Sequence, residues 1–159
     1  MPAIQTGLIL TSLHTIQAAL GVYGLYVSYI SITNLRQYEE TSKKAAIYSD
    51  TAAEQLHKTR TTQAAGAITI LLSTASSLTL AAAPTILPSL LRYSISPALL
   101  LGTVFARAHI SDFWAAKAKV PFVQGYNEAI SRTAEMLRVL AYLEGSWVVM
   151  SLLGPVMGY

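Results

Sequence analysis

Glu144 is an ionisable side chain inside an apolar stretch, where a charge is costly and is a functional candidate by default. It lies about eight residues into the last apolar segment, roughly 12 Å deep at 1.5 Å per residue. A carboxylate there would be protonated or would recruit a partner. Arg138 is not that partner, because six residues place it about 240° around the helix. We expect Glu144 to contact another helix, and His14 lies at a matching depth.

Two histidines stand one helical turn from a polar residue. His14 and Gln17 are three residues apart and share a helix face, and so do His109 and Asp112. A carboxylate beside an imidazole orients the ring and raises its basicity. A general base requires this arrangement. We therefore predict acid–base chemistry with four catalytic residues: Glu144, His14, His109 and Asp112.

Arginine, amide and phenol groups near these residues could bind a substrate. Arg138 begins the apolar part of the last helix and could hold an anionic or phenolic group. Arg107 could stabilise a developing oxyanion. The predicted substrate-binding residues are Arg138, Arg107, Gln17 and Tyr142.

Structural alternatives stay open at each position. His14 could instead form a helix contact, and the His109–Asp112 turn could lie at a membrane interface with Trp114 as its anchor. The start of the last helix is most simply a solvated, salt-bridged segment. Its expected ion pairs join Glu128 to Arg132 and Glu135 to Arg138.

Several classes of site are excluded by composition. The sequence has no cysteine, so it holds no disulfide and no thiolate metal site. The three histidines are expected at different levels, which argues against a metal site. No P-loop, dinucleotide-binding fingerprint or HExxH motif is present, and we predict no cofactor. No basic patch with interleaved aromatic residues suggests nucleic-acid binding.

The distribution of charge predicts the elements that position these residues. Only 12% of the residues are charged, about half of the usual fraction. No Asp, Glu, Lys or Arg occurs in residues 1–35, 61–91, 93–106 or 145–159. About 20 apolar residues suffice to cross a bilayer. We predict a single all-α domain over 1–159, an integral membrane bundle of four transmembrane helices, at about 6–33, 59–91, 97–118 and 125–153.

The connections between the spans are predicted from capping residues and prolines. Residues 35–58 are expected to form an interfacial loop with a helical second half, capped by Ser49 or Asp50. Pro84 could mark a turn or kink a long second helix, and we favour the kink. Ser96 and Pro97 then suit the start of the third helix. Gly154–Pro155 is expected to end the fourth helix.

The positively charged residues indicate an orientation. Nine of the eleven fall at one end of the four-helix bundle, which the positive-inside rule places in the cytosol. Both termini are then non-cytosolic. The first segment lacks a basic leader and a small-residue cleavage site, so we interpret it as a retained helix. The endoplasmic reticulum is the default location for this multi-pass topology.

The stretch LHKTRTTQAAGAITILLSTASSLTLA leads from a basic segment into a helix of small residues, and an arginine-containing start of the last helix follows at Arg132 and Arg138. This layout resembles the anthrone-oxygenase-like family of small four-helix fungal membrane enzymes. The resemblance implies oxygen chemistry on a polyketide. His109–Asp112 stands where that family has a Pro-Thr-Asn element, so no catalytic role is carried over. Size and topology are also similar to the membrane-associated eicosanoid and glutathione enzymes.

Two functions follow as hypotheses. The first is a membrane-embedded enzyme that acts on a hydrophobic small molecule of polyketide or terpenoid type. It would use acid–base-assisted oxygenation, cyclisation or isomerisation. The second is a non-catalytic subunit or assembly factor of a membrane complex, with the polar residues bonding helices together. A homo-oligomer is compatible with both hypotheses. A channel is less favoured, because no ring of charged residues is evident.

Overall fold

The fold is all-α in the residues that the computed structural model describes, which are 3–118 and 124–157. Four long helices and one short 3₁₀ turn form in this part of the chain. The helices are α1, Ala3–Tyr48; α2, Asp50–Ala82; α3, Ser89–Trp114; and α4, Gln124–Met157, and the 3₁₀ turn is Pro84–Ile86. All four helices are long and apolar enough to cross a membrane, which confirms the predicted number and type of elements.

The polar stretch after Arg36 is helical, where a loop was expected. α1 continues to Tyr48, and Ser49 alone separates it from α2. The Ser49 side chain accepts a hydrogen bond from the backbone N–H of Ala52 at 3.3 Å, as predicted for a helix cap. The loop was predicted because the stretch is polar. Glu, Lys and Ala nevertheless favour helix, and Glu39 in this extension pairs with Lys43 and with Arg60 of α2.

The chain turns at Pro84, so the predicted kink is wrong and the alternative turn is correct. α2 ends at Ala82, and α3 begins at Ser89. Pro84 and Pro88 supply no backbone N–H within this short interval, so the segment cannot continue an α-helix. Pro97 lies inside α3 and does not start it, contrary to prediction. A bundled membrane helix tolerates such a proline.

The bounds of the last two helices also differ from prediction. α3 ends at Trp114, before the expected Ala118. α4 continues through Gly154–Pro155 to Met157. Pro155 removes only one backbone donor in the final turn, which explains why it does not end the helix there.

The helices form a closed up-and-down ring. Each helix packs on its neighbour in the chain, and α4 packs back on α1. Two glycines set the closest approaches of α1. A Cβ on Gly21 would strike the Thr74 side chain of α2, and a Cβ on Gly24 would lie 2.7 Å from a methyl of Val139. Small residues therefore allow α1 to lie close to both neighbours.

The interior is apolar in its middle and polar towards both ends. Fully buried apolar side chains occupy the centre: Val27, Ile70, Met136, Leu140 and Leu143. On the side nearer the N-terminus, the Trp147 indole donates to Ser73 at 3.2 Å. On the opposite side, the Trp114 indole donates to Thr62 at 2.9 Å. The end of the bundle that contains Ser49 and Trp114 is called the hairpin end below.

Candidate functional site

His14 and Gln17 form a buried contact between α1 and α4. His14 Nδ1 lies 2.7 Å from Gln17 Oε1, as their spacing predicts. Gln17 Nε2 donates to Ser146 Oγ at 3.0 Å, and the Ser146 hydroxyl donates to the Leu143 carbonyl at 2.7 Å. Because the Gln17 amide nitrogen is the atom that donates to Ser146, the amide oxygen is the atom that faces His14. An oxygen can only accept, so His14 Nδ1 carries the proton. The His14 ring also lies 6.2 Å from the Trp147 ring. The geometry is that of a helix contact.

Glu144 pairs with Arg107 of α3, and the predicted partner His14 is wrong. Arg107 Nε donates to Glu144 Oε2 at 2.6 Å, and Nη2 donates to Oε1 at 3.2 Å. Such a bidentate contact is the strongest arrangement of these two groups. The expectation that Glu144 contacts another helix is confirmed. Sequence spacing could not identify Arg107, because the two residues lie on different helices.

The other predicted site residues face outward. His109, Asp112 and Arg138 are exposed on their helices, and Tyr142 is 65% exposed. Within residues 3–118 and 124–157, no hydrogen bond joins His109 to Asp112, so the predicted base arrangement does not form there. The four residues assigned to catalysis therefore occupy three separate places. The chemistry predicted for them stays a prediction.

The charged start of α4 is a local salt-bridge cluster. Arg132 binds Glu128 at 2.7 Å, as predicted, and also binds Glu135 at 2.9 Å. The expected partner of Glu135 was Arg138, so that assignment is wrong. The Tyr23 hydroxyl of α1 also lies 3.4 Å from Glu135. These contacts join α4 to itself and to α1.

A cavity of about 550 Å³ opens at the hairpin end. It is called the hairpin-end cavity below. Residues of all four helices line it, with Lys117 just after α3. The apolar part of the wall includes Ile32, Leu35, Leu56, Ala64 and Trp114. The polar part includes Arg36, Glu39, Gln55, Arg60, Gln63 and Lys117. Its volume is within the range of small-molecule sites.

Among the described residues of the cavity wall, positive charge exceeds negative charge. These residues include the cations Arg36, Arg60 and Lys117 and one carboxylate, that of Glu39. Glu39 binds Arg60 across the α1–α2 hairpin and binds Lys43 at 3.2 Å. The hydrogen bond from Arg60, followed by that from Lys43, lowers the pKa of the Glu39 carboxyl. Glu39 is therefore ionised at neutral pH, and it neutralises Arg60 in this arrangement.

The other two cations are not neutralised in the described part of the chain. Arg36 forms no ion pair there. The Lys117 ammonium donates to the neutral Gln55 amide oxygen at 2.5 Å and lies 4.4 Å from the centre of the Phe113 ring. Both side chains are therefore able to bind an added anion.

Gln63 places an unsatisfied acceptor at the wall of the cavity. The side chain is only 3% exposed, and its Nε2 donates to Thr133 Oγ1 at 2.8 Å. The Thr133 hydroxyl donates to the Ala129 carbonyl at 2.7 Å, which leaves its oxygen to accept from Gln63. The amide orientation is thereby defined. Gln63 Oε1 has no hydrogen-bond partner among the described residues. A buried acceptor without a donor is costly, so this atom would be satisfied by a bound donor.

The predicted site did not include this cavity. Its wall combines residues of every helix, and one of them, Glu39, lies in the segment after Arg36 where a loop was predicted. The sequence feature that could have indicated this cavity is the set of cations Arg36, Arg60 and Lys117. We interpreted these residues only as evidence for the orientation of the helices in the membrane. Across the described ranges, no three His, Asp or Glu side chains group closely enough to hold a metal ion.

Comparison with protein-family models, with curated proteins and with solved structures finds no match to this chain. The resemblance to anthrone-oxygenase-like enzymes stays a prediction.

Proposed function

We propose that the protein lies in a bilayer and binds a lipophilic small molecule with an anionic group in the hairpin-end cavity. The observation that carries this proposal is the combination of an apolar wall with an excess of cations among the described lining residues. A pocket that binds both an anion and an apolar group needs cationic side chains for the first and apolar side chains for the second. The ligand class is an anionic amphiphile, with a carboxylate, phosphate or phenolate as its head group.

The apolar part of the ligand would contact the apolar part of the cavity wall, which includes Leu35, Leu56 and Trp114. Burial of apolar surface stabilises binding by about 25 cal/mol per Å² before the costs of association. A short alkyl chain or a fused ring system fits a cavity of about 550 Å³.

The head group would bind Arg36 and Lys117 first, because neither is paired with a carboxylate among the described residues. Arg60 would join them only if Glu39 releases it. The Glu39–Arg60 pair is therefore a competitor of the ligand and sets the affinity. A hydroxyl or N–H group on the ligand would also satisfy Gln63 Oε1, which favours a hydroxylated or amide-containing molecule over a plain hydrocarbon acid.

Chemical conversion of this ligand by oxygenation, cyclisation or isomerisation stays a prediction. The residues assigned to acid–base catalysis lie outside the cavity, so the proposal extends only to binding. Glu144→Gln and Glu144→Ala test the catalytic assignment in any later activity assay. Full activity in both variants would remove Glu144 from the mechanism. The subunit hypothesis is favoured by a different observation, the outward-facing Arg107–Glu144 pair.

Arg36→Gln is expected to weaken binding of an anionic amphiphile about tenfold, because one charge-assisted contact is lost. The measurement uses nanodiscs and a fatty acid brominated at its tail, which quenches tryptophan fluorescence on contact. In a Trp147→Phe background, Trp114 is the only tryptophan and lies in the cavity wall. The matched control is Lys58→Gln, which removes a cation at the same end from outside the cavity wall.

The same assay separates the possible outcomes. Saturable quenching that weakens in Arg36→Gln and not in Lys58→Gln supports the proposal. Quenching that is unsaturable, or that changes equally in both variants, contradicts it. The methyl ester of the same acid tests the head group, and equal affinity for acid and ester would rule out recognition of the anion.

Glu39→Gln is expected to tighten binding of the brominated acid about fivefold, since Arg60 then becomes available to the head group. Glu54→Gln is the control, because Glu54 pairs with Lys58 at 2.6 Å and does not line the cavity. A Glu39→Gln variant that binds the acid more weakly than wild type would show that Glu39 supports the site and does not compete with the ligand.

A further inference from the structure

The Arg107–Glu144 pair lies near mid-depth on the outside of the bundle. Along α4, Glu144 stands between Val139, which packs on Gly24, and Trp147, which bonds Ser73. These levels are the middle of the apolar runs of α1 and α2. The Arg107 side chain is nevertheless 43% exposed, and that of Glu144 is 23% exposed. The pair therefore faces the surroundings of the bundle where lipid would be.

The guanidinium of Arg107 keeps donors that Glu144 does not use. An arginine has five N–H donors, and two of them bond Glu144. Unsatisfied polar groups are expensive in hydrocarbon, and ionisable residues there face protein or water as a rule. An additional acceptor outside this single bundle would remove that cost.

We infer that the acceptor is Glu144 of a second copy of this chain, in a symmetric dimer formed through the groove between α3 and α4. A two-fold axis along the membrane normal places α3 of one copy opposite α4 of the other and preserves depth. Arg107 then faces Glu144 of the second copy at the same level. The two ion pairs join into a ring of alternating charges, so the surface is complementary to itself.

The residues beside the ion pair fit this arrangement. One turn towards the hairpin end, Ser111 on α3 comes opposite Ala141 on α4 of the second copy, and both side chains are exposed and small. One turn in the other direction, Val104 comes opposite Val148, and these are 37% and 41% exposed. Small polar and apolar residues on this face allow two helices to approach until the charges meet.

Cysteine cross-linking tests the predicted register directly, because the chain has no cysteine of its own. Ser111→Cys and Ala141→Cys copies with different tags are co-expressed in membranes and oxidised. We expect a disulfide-linked heterodimer. The control pair is Phe105→Cys with Val149→Cys, two exposed positions that are each turned about 100° around the helix from Val104 and Val148. No Ser111–Ala141 product, or an equal yield in the control pair, overturns the inference.

A steric variant measures the affinity of the same contact. Ala141→Trp leaves the ion pair in place and obstructs the groove, so the dimer should dissociate at least about tenfold more readily in nanodiscs. Val149→Trp is the matched control, because Val149 is exposed on another face of α4, and it should leave the dimer unchanged. A wild-type protein that is monomeric at every protein-to-lipid ratio contradicts the proposal. If a different protein co-purifies with this chain and cross-links to it at Ala141→Cys, the surface belongs to that partner, and the dimer proposal is wrong.

Discussion

Glu144→Ala is expected to lower the free energy of unfolding by about 3 kcal/mol or more. The variant leaves the Arg107 guanidinium without its bidentate partner at mid-depth of the bundle. An uncompensated charge in that position costs more than the lost hydrogen bonds themselves. Reversible unfolding in detergent–lipid mixtures, followed by circular dichroism, measures the effect.

A double variant tests whether the loss of stability comes from the unpaired charge of Arg107. Arg107→Leu with Glu144→Leu removes both charges, and it should recover most of the stability that either single change loses. Glu54→Ala is a control that breaks an exposed pair, and it should cost at most about 1 kcal/mol. If Glu144→Ala and Glu54→Ala destabilise the protein equally, the Arg107–Glu144 pair is not held in an apolar environment.

Gly21→Ala is the second substitution with a large expected effect, a loss of about 2 kcal/mol. The new methyl group would strike the hydroxyl of Thr74 and lie 3.1 Å from its Cβ and 3.3 Å from its Cα. Because Thr74 is β-branched and its backbone is part of α2, the two helices must separate. Thermal unfolding and the accessibility of a cysteine at Ser73 both report this separation.

Two other glycines are controls for the same measurement. Gly102→Ala meets no atom within 4 Å, so helix propensity should stabilise it slightly. Gly66→Ala meets the thioether end of Met136 at 2.7 Å, and this flexible side chain can move aside. The expected order of stability is Gly102→Ala, Gly66→Ala, Gly21→Ala. A stabilised Gly21→Ala variant would mean that α1 and α2 are not in close contact.

The number of helices could be predicted from the sequence because a segment that crosses a bilayer must be long, apolar and nearly free of charged residues. It failed where two rules compete. Pro84 was consistent with a kink or a turn, and the close spacing of Pro84 and Pro88 decides for a turn. The segment 37–48 is polar like a loop, but its residues favour helix and its ion pairs reach Arg60 across the hairpin.

The site was harder to predict than the fold. His14 and Gln17 are adjacent on one helix, so their contact followed from spacing alone. The partner of Glu144 lies on another helix, and its predicted depth in the bilayer did not distinguish Arg107 from His14. The hairpin-end cavity depends on where α3 ends and on how far α1 extends. Both positions were wrong in the prediction, and no single motif marks the cavity.

The Arg107–Glu144 pair also has a consequence for the biogenesis of the protein. Arg107 precedes Glu144 by 37 residues and therefore reaches the insertion machinery first. An arginine near the centre of an isolated helix costs about 2.5–3.5 kcal/mol on insertion. Its neutralising partner is only synthesised with α4. The two helices should therefore insert as a joined pair, and a ribosome-bound chain that ends before Glu144 should leave α3 outside the hydrocarbon.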